Sequence, residues 1–409
     1  MKPDRAAFAT QRALLLCKAE SNRLDKTMLL WSDSERPVVH SFGIAGDFLP
    51  AARLVPAAGE SWSSMAELAL PVFRDLEFSL ANLECPVGVE GLPAKIKPSL
   101  GGTFAAAGDV LDYLAALRVF AVGVANNHLF DYKRDGAERT CAALLERSFT
   151  PLGFGRALHN SPDILLYTFD GLQRVGLWAA ARNVPDSATT LSTGIEPATI
   201  ERAARVLSEM RACGTSCRVA FLHAGCEGTN FPDPEDVQFM DALATAGFDV
   251  VAACHSHRTS GYKTIRRRNG QVAHCFYGLG SLSSGVLYSA LEHEGILAVV
   301  GLDASGAIAC VEARPIFLDE RGFGRSPVDD EGAVLLSRFQ ELSRRVADGS
   351  YRRAFYRDIS KCLMKVQWND VRVAFQRAGV RGVIEKLRRM RLTHFRRLYH
   401  KGLDAIGLR

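Results

Sequence analysis

Five apolar runs in this chain stop abruptly on a carboxylate, an amide or an imidazole. The run at 38–45 ends on Gly46-Asp47, that at 76–81 on Asn82-Leu83-Glu84, and that at 119–124 on Asn126-Asn127-His128 with Asp131 just beyond. Later, 218–222 ends on His223 and 248–254 on His255-Ser256-His257. A short, near-continuous apolar run reads as a strand buried on both faces. Stretches with helical spacing separate the runs, at 61–76, 108–117, 135–148, 197–212 and 235–246. Further β-like runs lie at 163–169, 174–181, 272–277, 295–302 and 307–318. Strand, loop and helix alternation implies an α/β fold with a largely parallel sheet covered by helices on both faces. Ligands of such sheets bind beyond the carboxyl ends of the strands, which is where the polar stops fall.

Composition narrows the class. Of 409 residues, 47% are hydrophobic and 23% charged, which argues against a disordered or fibrous chain. The ten cysteines are spread from Cys17 to Cys362, and a chain this long needs no disulfide staples, so they read as reduced thiols. The apolar stretch at 13–17 is too short for a secretory core, and nothing approaches the roughly 18 apolar residues of a membrane span. A cytoplasmic protein, peripheral to a membrane at most, is the expectation. Residues 1–36 read as an N-terminal arm, 37–325 as the folded body and 326–409 as a basic helical C-terminal extension. Charge divides along that line: of the chain's 50 Lys and Arg and 45 Asp and Glu, residues 334–409 hold 19 and 6.

Each polar stop has a bland explanation by itself. Asn-Asn is a good turn pair, Asp47 could be a turn acid, Glu84 a surface acid before Pro86, and His223 a satisfied core histidine. Five successive strand ends carrying the same vocabulary are harder to explain that way. Asp47, Glu84, Asn127, His223, His255 and His257 together form a mixed carboxylate, amide and imidazole set. Such a set suits one or two divalent ions, Mn, Fe or Zn before Mg, and two ions can clamp the attacking and leaving oxygens of a displacement.

In order along the chain, Gly46-Asp47, Asn82-Leu83-Glu84, Asn126-Asn127-His128 with Asp131, His223 with Gly225 and Glu227, His255-Ser256-His257 and Gly278-Leu279-Gly280 resemble the motifs of the CapA family. This is the poly-γ-glutamate and capsule biosynthesis family, which shares the calcineurin-like metallophosphoesterase fold, and the resemblance covers roughly 38–320. It implies a four-layer α/β/β/α sandwich. By the same resemblance Asp47 and His257 would ligate a first metal, Glu84 would stand at the bridging position, and Asn127, His223 and His255 would ligate a second. His128 would act as the acid or charge-stabilising group, with Asp131 and Glu227 orienting the ligands. The chain departs from the pattern in places. Leu49 stands where the superfamily usually has a histidine, leaving the first metal one ligand fewer; Ala224 replaces a large aromatic, Ser281 an asparagine and Leu282 a phenylalanine. Cys226 adds a thiol close to His223 in sequence.

These readings lead to a metal-dependent hydrolase that cleaves a phosphoester or related bond in capsule, polyglutamate or exopolysaccharide biosynthesis, with an anionic polymer or phosphoester as substrate. The rival is a non-catalytic polymer-binding or synthase-associated assembly factor; a sugar or nucleotide phosphatase sharing only the fold is a third. In the tail, Val383, Ile384, Leu387, Met390, Phe395 and Leu398 recur at helical spacing among Arg388, Arg389, Arg396, Arg397 and Lys401. A basic amphipathic helix of this kind suits an anionic membrane surface, a membrane-bound synthase or packing on the acidic body. Nucleic acid is disfavoured, because no nucleic-acid-binding module is visible.

Overall fold

The structure is a computed structural model that describes residues 27–361, apart from 52–53, 96–101, 156, 158–159, 161–162, 170–172, 190–191 and 287–291. The amphipathic pattern read at 383–399 therefore lies outside the described residues. In chain order the first strands are β1 (Met28–Ser32), β2 (His40–Leu49), β3 (Phe78–Leu83), β4 (Val119–Gly123) and β5 (Thr150–Leu152). Helices α1 (Trp62–Ala66), α2 (Leu111–Ala116) and α3 (Lys133–Glu146) fall between or after them. There follow β6 (Leu165–Phe169), β7 (Gln173–Ala181), α4 (Ile200–Ala212), β8 (Cys217–Ala224), α5 (Pro234–Ala246) and β9 (Val250–His255). The chain continues through β10 (Thr259–Arg266), β11 (Val272–Leu279), β12 (Ser281–Ser284), β13 (Glu294–Leu302), β14 (Ile308–Leu318), β15 (Gly324–Arg325) and α6 (Glu331–Asp348).

The α/β expectation is met, with two sheets in place of the one largely parallel sheet read from strand and helix alternation. The strands form two sheets: the smaller is parallel at its centre and antiparallel at both margins, and the larger is parallel from β2 to β5 and antiparallel from β1 to β2. One runs β1-β14-β13-β2-β3-β4-β5, with β12 beside β2 and β15 beside β14; the other runs β10-β11-β9-β8-β7-β6. The pairs β2–β3, β3–β4, β7–β8 and β8–β9 are parallel, whereas β13–β2, β13–β14, β6–β7 and β10–β11 are antiparallel. These four parallel pairs need a crossover, and helices supply it; β10–β11 and β13–β14 are joined by tight turns and need none.

Three apolar clusters hold the elements together. The first lies between the two sheets and includes Phe42, Ile44, Phe78 and Leu80 from one and Leu177, Val219, Phe221 and Phe276 from the other. The second packs α1, α2 and α3 on the outer face of the larger sheet through Met65, Leu114 and Leu144. The third packs α4 and α5 on the outer face of the smaller one through Val206, Met210, Met240 and Leu243. Helix 61–76 of the sequence reading is shorter than expected: α1 stops at Ala66, and a 3-10 turn, Leu70–Phe73, follows with Pro71 in it. Proline lacks the N–H that would continue the ladder.

Both ends of the predicted body extend further than the sequence suggested. Met28–Ser32, read as part of an arm, is the outer strand of the larger sheet, pairing with β14. Helix α6, read as part of the extension, places Leu335, Leu336 and Phe339 in the intersheet cluster. Its burial crosses the boundary drawn between 325 and 326. None of the described helices is long and apolar enough to cross a membrane.

Candidate metal centre

The strand ends meet where the two sheets face each other. Asp47 and Glu84 are fully buried, and His223, His255 and His257 surround them from the other sheet. Glu84 Oε1 lies 3.5 Å from His223 Nε2 and 3.8 Å from His255 Nδ1, and its Oε2 lies 3.6 Å from His257 Nε2. Asp47 Oδ2 lies 3.3 Å from His257 Nδ1 and accepts the backbone N–H of His255 at 2.8 Å. His223 Nε2 lies 2.7 Å from Asn127 Oδ1. All six predicted ligands are thus brought together.

Local backbone explains how each is presented. Gly46 cannot be another residue without moving the strands, because a Cβ there would sit 1.9 Å from the carbonyl oxygen of Gly280. That close approach seats Asp47 directly opposite Ser281 of β12. His255 and His257 have positive φ, 116° and 55°. Such backbone costs of order 1–3 kcal/mol per residue and is kept where surrounding structure over-determines it. It turns two imidazoles, two residues apart, toward one place. Asn126 makes an Asx turn, its Oδ1 accepting the N–H groups of His128 at 3.1 Å and Leu129 at 3.0 Å. The bland reading of the Asn-Asn pair is therefore right for Asn126, and Asn127 is the member that faces the cluster.

His128 and Asp131 form a dyad at the edge of this centre. Nδ1 lies 2.8 Å from Asp131 Oδ2, and that oxygen also accepts the Phe104 N–H at 2.8 Å. Phe104 covers the imidazole, ring centroids 4.6 Å apart. Asp131 Oδ2 faces Nδ1 as an acceptor, so the neutral ring carries its proton on Nδ1, and a protonated ring has a second donor at Nε2.

Glu227 does not join the cluster. It is exposed on the turn that follows β8 and has no hydrogen bond or ion pair to the centre among the described residues. Gly225 and Gly228, at φ 134° and 86°, turn the chain outward there. A thiol lies beside the ligands at Cys254, with Sγ 3.8 Å from His223 Nδ1. Sequence adjacency pointed to Cys226; strand pairing of β8 with β9 also brings in Cys254. Asn82 was quoted in the motif without a role, and its amide nitrogen donates to Asp47 Oδ1 at 2.8 Å. Leu49, at the departing position, packs in the apolar cluster beneath α1.

Electrostatics follow from burial. Desolvation raises Asp47, but His257 and His223 outweigh it and hold the carboxyl well below its ordinary value. Desolvation works against a charged His257, yet Glu84 and Asp47 raise its pKa to about 9. His223 goes the other way, pushed well below its ordinary value by burial and by the neighbouring His255. Burial likewise pushes the Cys254 thiol well up.

The donor set fits a divalent cation. Ligand atoms of Glu84, His223 and His255 lie within 4.8 Å of one another, as do those of Asp47, Glu84 and His257. Two buried carboxylates with imidazoles around them are costly without compensating positive charge, and the Nδ1 atoms of His255 and His257 are buried without a hydrogen bond of normal geometry. The chemistry of these donors does not select a single metal.

A probable polyglutamine synthesis accessory protein of Mycobacterium tuberculosis is 26% identical over 223 residues, 50% of this chain and 57% of that protein. The capsule biosynthesis protein CapA of Bacillus anthracis is 21% identical over 215 residues, 52% and 51% of the two. The aligned part of the chain thus spans little more than half the length of these curated relatives. Among solved structures, the NAD nucleotidase NadN of Haemophilus influenzae superposes with a TM-score of 0.43 at 13% identity, over 77% of this chain and 56% of that one. The description "Bacterial capsule synthesis protein PGA_cap" matches residues 41–285, a span that holds every residue of the cluster, and the chain belongs to that family.

Proposed function

We propose that the protein is a metal-dependent hydrolase of capsule or polyglutamate biosynthesis that cleaves a phosphoester or related bond in an anionic polymer or its precursor. The observation that carries this reading is the His128–Asp131 dyad, 2.8 Å between Nδ1 and Oδ2, set beside a buried carboxylate and imidazole cluster. Asp47, Glu84, Asn127, His223, His255 and His257 would hold one or two divalent ions, of Mn, Fe, Zn or Mg. A bound cation supplies Lewis acidity at the scissile bond. His128, oriented by Asp131, would donate from Nε2 to the leaving oxygen when its ring is protonated. Phe104 packs against the imidazole, ring centroids 4.6 Å apart. The cationic side chains exposed at the C-terminal end of the described chain, Arg352, Arg353, Arg357 and Lys361, suit an anionic membrane surface or a membrane-bound synthase on the cytoplasmic side.

A second reading, a polymer-binding assembly factor without turnover, has Leu49 in its favour, since an apolar side chain occupies the position of a usual ligand. Purified protein, assayed for bound metal and for Mn-dependent cleavage of a generic phosphodiester, separates the two. Hydrolysis that disappears in His128→Ala while metal is retained is the expected result. Absence of both bound metal and Mn-dependent turnover overturns the hydrolase reading.

A further inference from the structure

At the opposite ends of β3 and β4 from the metal centre, a surface cavity of about 330 Å³ has Glu77, Arg118, Phe120, Arg147, Ser148 and Tyr167 in its lining. The length of β3 separates the two places by roughly 16 Å, at about 3.3 Å per residue. Helix endings single this cavity out. Helices α4, α5 and α6 are followed by glycines of positive φ, Gly214 at 69°, Gly247 at 141° and Gly349 at 78°. Helices α2 and α3 run instead into Arg118 at φ 56° and Ser148 at φ 63°. The Ser148 and Phe149 N–H groups donate to Leu145 O and Leu144 O, both at 3.0 Å, and the Arg118 N–H donates to Ala115 O at 3.0 Å. These are left-handed helix ends built from residues that the left-handed region disfavours. Both exceptions line the same cavity.

Arg118 is exposed and has no ion pair or side-chain hydrogen bond among the described residues. Arg147 Nε donates to Asp112 Oδ1 at 3.2 Å, and its Nη groups make no hydrogen bond among the described residues. Glu77, the acid of this lining, pairs with His40 Nδ1 at 2.9 Å. Phe120 and Tyr167, both half-buried, meet edge to face with ring centroids 5.2 Å apart, and the Phe78 ring lies 4.1 Å from that of Tyr167. We propose that this cavity binds a small organic oxyanion, a carboxylate or phosphate carried on a ring or other apolar body, with Arg118 and Arg147 on the charged group and Phe120 and Tyr167 against the body. A guanidinium presents paired donors matched to such an oxyanion, and aromatic side chains take up the apolar remainder. Glycine at 118 and 148 would relieve the backbone but remove the guanidinium and the hydroxyl, and strain of this kind is kept where a side chain has a task. An arginine near a helix C-terminus also complements the helix dipole, a role that needs no ligand. The site is separate from the metal centre and independent of the hydrolase reading.

The test is calorimetric titration of the full-length protein with phenylphosphonate, benzoate and inorganic phosphate, each with and without EDTA. Phenylphosphonate or benzoate is expected to bind more tightly than inorganic phosphate, which lacks the apolar body, and the tighter of the two identifies the charged group. Binding should persist in EDTA. Arg118→Gly should weaken it about 10- to 100-fold, with a melting temperature unchanged or higher because the left-handed strain is relieved. Arg118→Lys should bind with intermediate affinity, since the charge survives and the fork does not. Phe120→Ala, which leaves the helix end untouched, should bring the organic oxyanion down to the affinity of inorganic phosphate; with Arg118→Lys it carries the test if Arg118→Gly does not fold. No binding by the wild type, or binding abolished by EDTA, which would assign the ligand to the metal centre, overturns the proposal. So does unchanged affinity in folded Arg118→Gly, which would leave Arg118 with the helix dipole alone.

Discussion

The two sheets contribute different chemistry to one centre. The larger sheet delivers oxygens and amides: Asp47, Asn82 and Glu84 at the ends of β2 and β3, then Asn127, His128 and Asp131 after β4. Apart from the dyad, the imidazoles come from the smaller sheet, with His223 in β8 and His255 and His257 at the end of β9. Their backbones differ as well. The carboxylates sit on ordinary extended strand, while His255 and His257 need positive φ to reach the same point. Neither half is a complete donor set, so the centre exists only while the intersheet cluster keeps the sheets in register. Strain and imidazole lie on one side, buried negative charge on the other.

The strongest way to break this pairing is to empty the core between the sheets. Phe276, fully buried in the intersheet cluster, is expected on replacement by Ala to cost about 3–5 kcal/mol in denaturant unfolding. Metal binding should fall with it, because both halves of the site lose their common support. Preserved metal affinity in a folded Phe276→Ala protein would show that one sheet suffices. On the oxygen side alone, Asp131→Asn leaves the cluster's ligands intact but removes the charge behind His128. Turnover is expected to fall about 10- to 100-fold with metal content unchanged, measured by steady-state kinetics beside metal analysis. Gly46→Ala, roughly 1–3 kcal/mol by overpacking, should loosen Asp47 and leave the imidazole side in place; equal weakening of both sides would contradict the division.

What was legible in the chain follows the same split. Strand ends on the larger sheet could be read because an apolar run stopping on Asp47, Glu84 or Asn127 is a local signal. The imidazoles were equally visible, but not that they belong to a second sheet, since alternation of strand and helix does not say which strands pair. Strand β10, TSGYKTIR, is half polar and carries a glycine, so it lacks the continuous run that marked β9. Asn82 was missed because its task is relational: it touches Asp47 and His223, which are 35 residues before it and 141 after it. Glu227 was carried in by resemblance, and the glycine-bounded turn places it in solvent instead. Cys254 entered through strand register, which no spacing in the sequence displays.

The smallest effect expected is a pH dependence that sharpens the contrast between His257 and His223. In the metal-free protein His257 has its pKa raised from 6.5 to about 9, the pull of Glu84 and Asp47 outweighing burial. A raised folded-state pKa stabilises the fold fully below the unfolded value of 6.5, and that contribution is lost as pH rises through about 9. His223, pushed low by burial, stays neutral across this window and adds no slope. With chelator present, the melting temperature should decline from pH 6.5 to 9, by roughly 2–4 °C for each 1 kcal/mol lost. His257→Gln should flatten the decline. A cation competes with the same proton, so its affinity should rise over that interval and the gap between metal-loaded and metal-free melting temperatures should widen. A gap that is constant with pH would mean that His257 carries no proton for the cation to displace, and that the acidic side of the centre is balanced by some other charge.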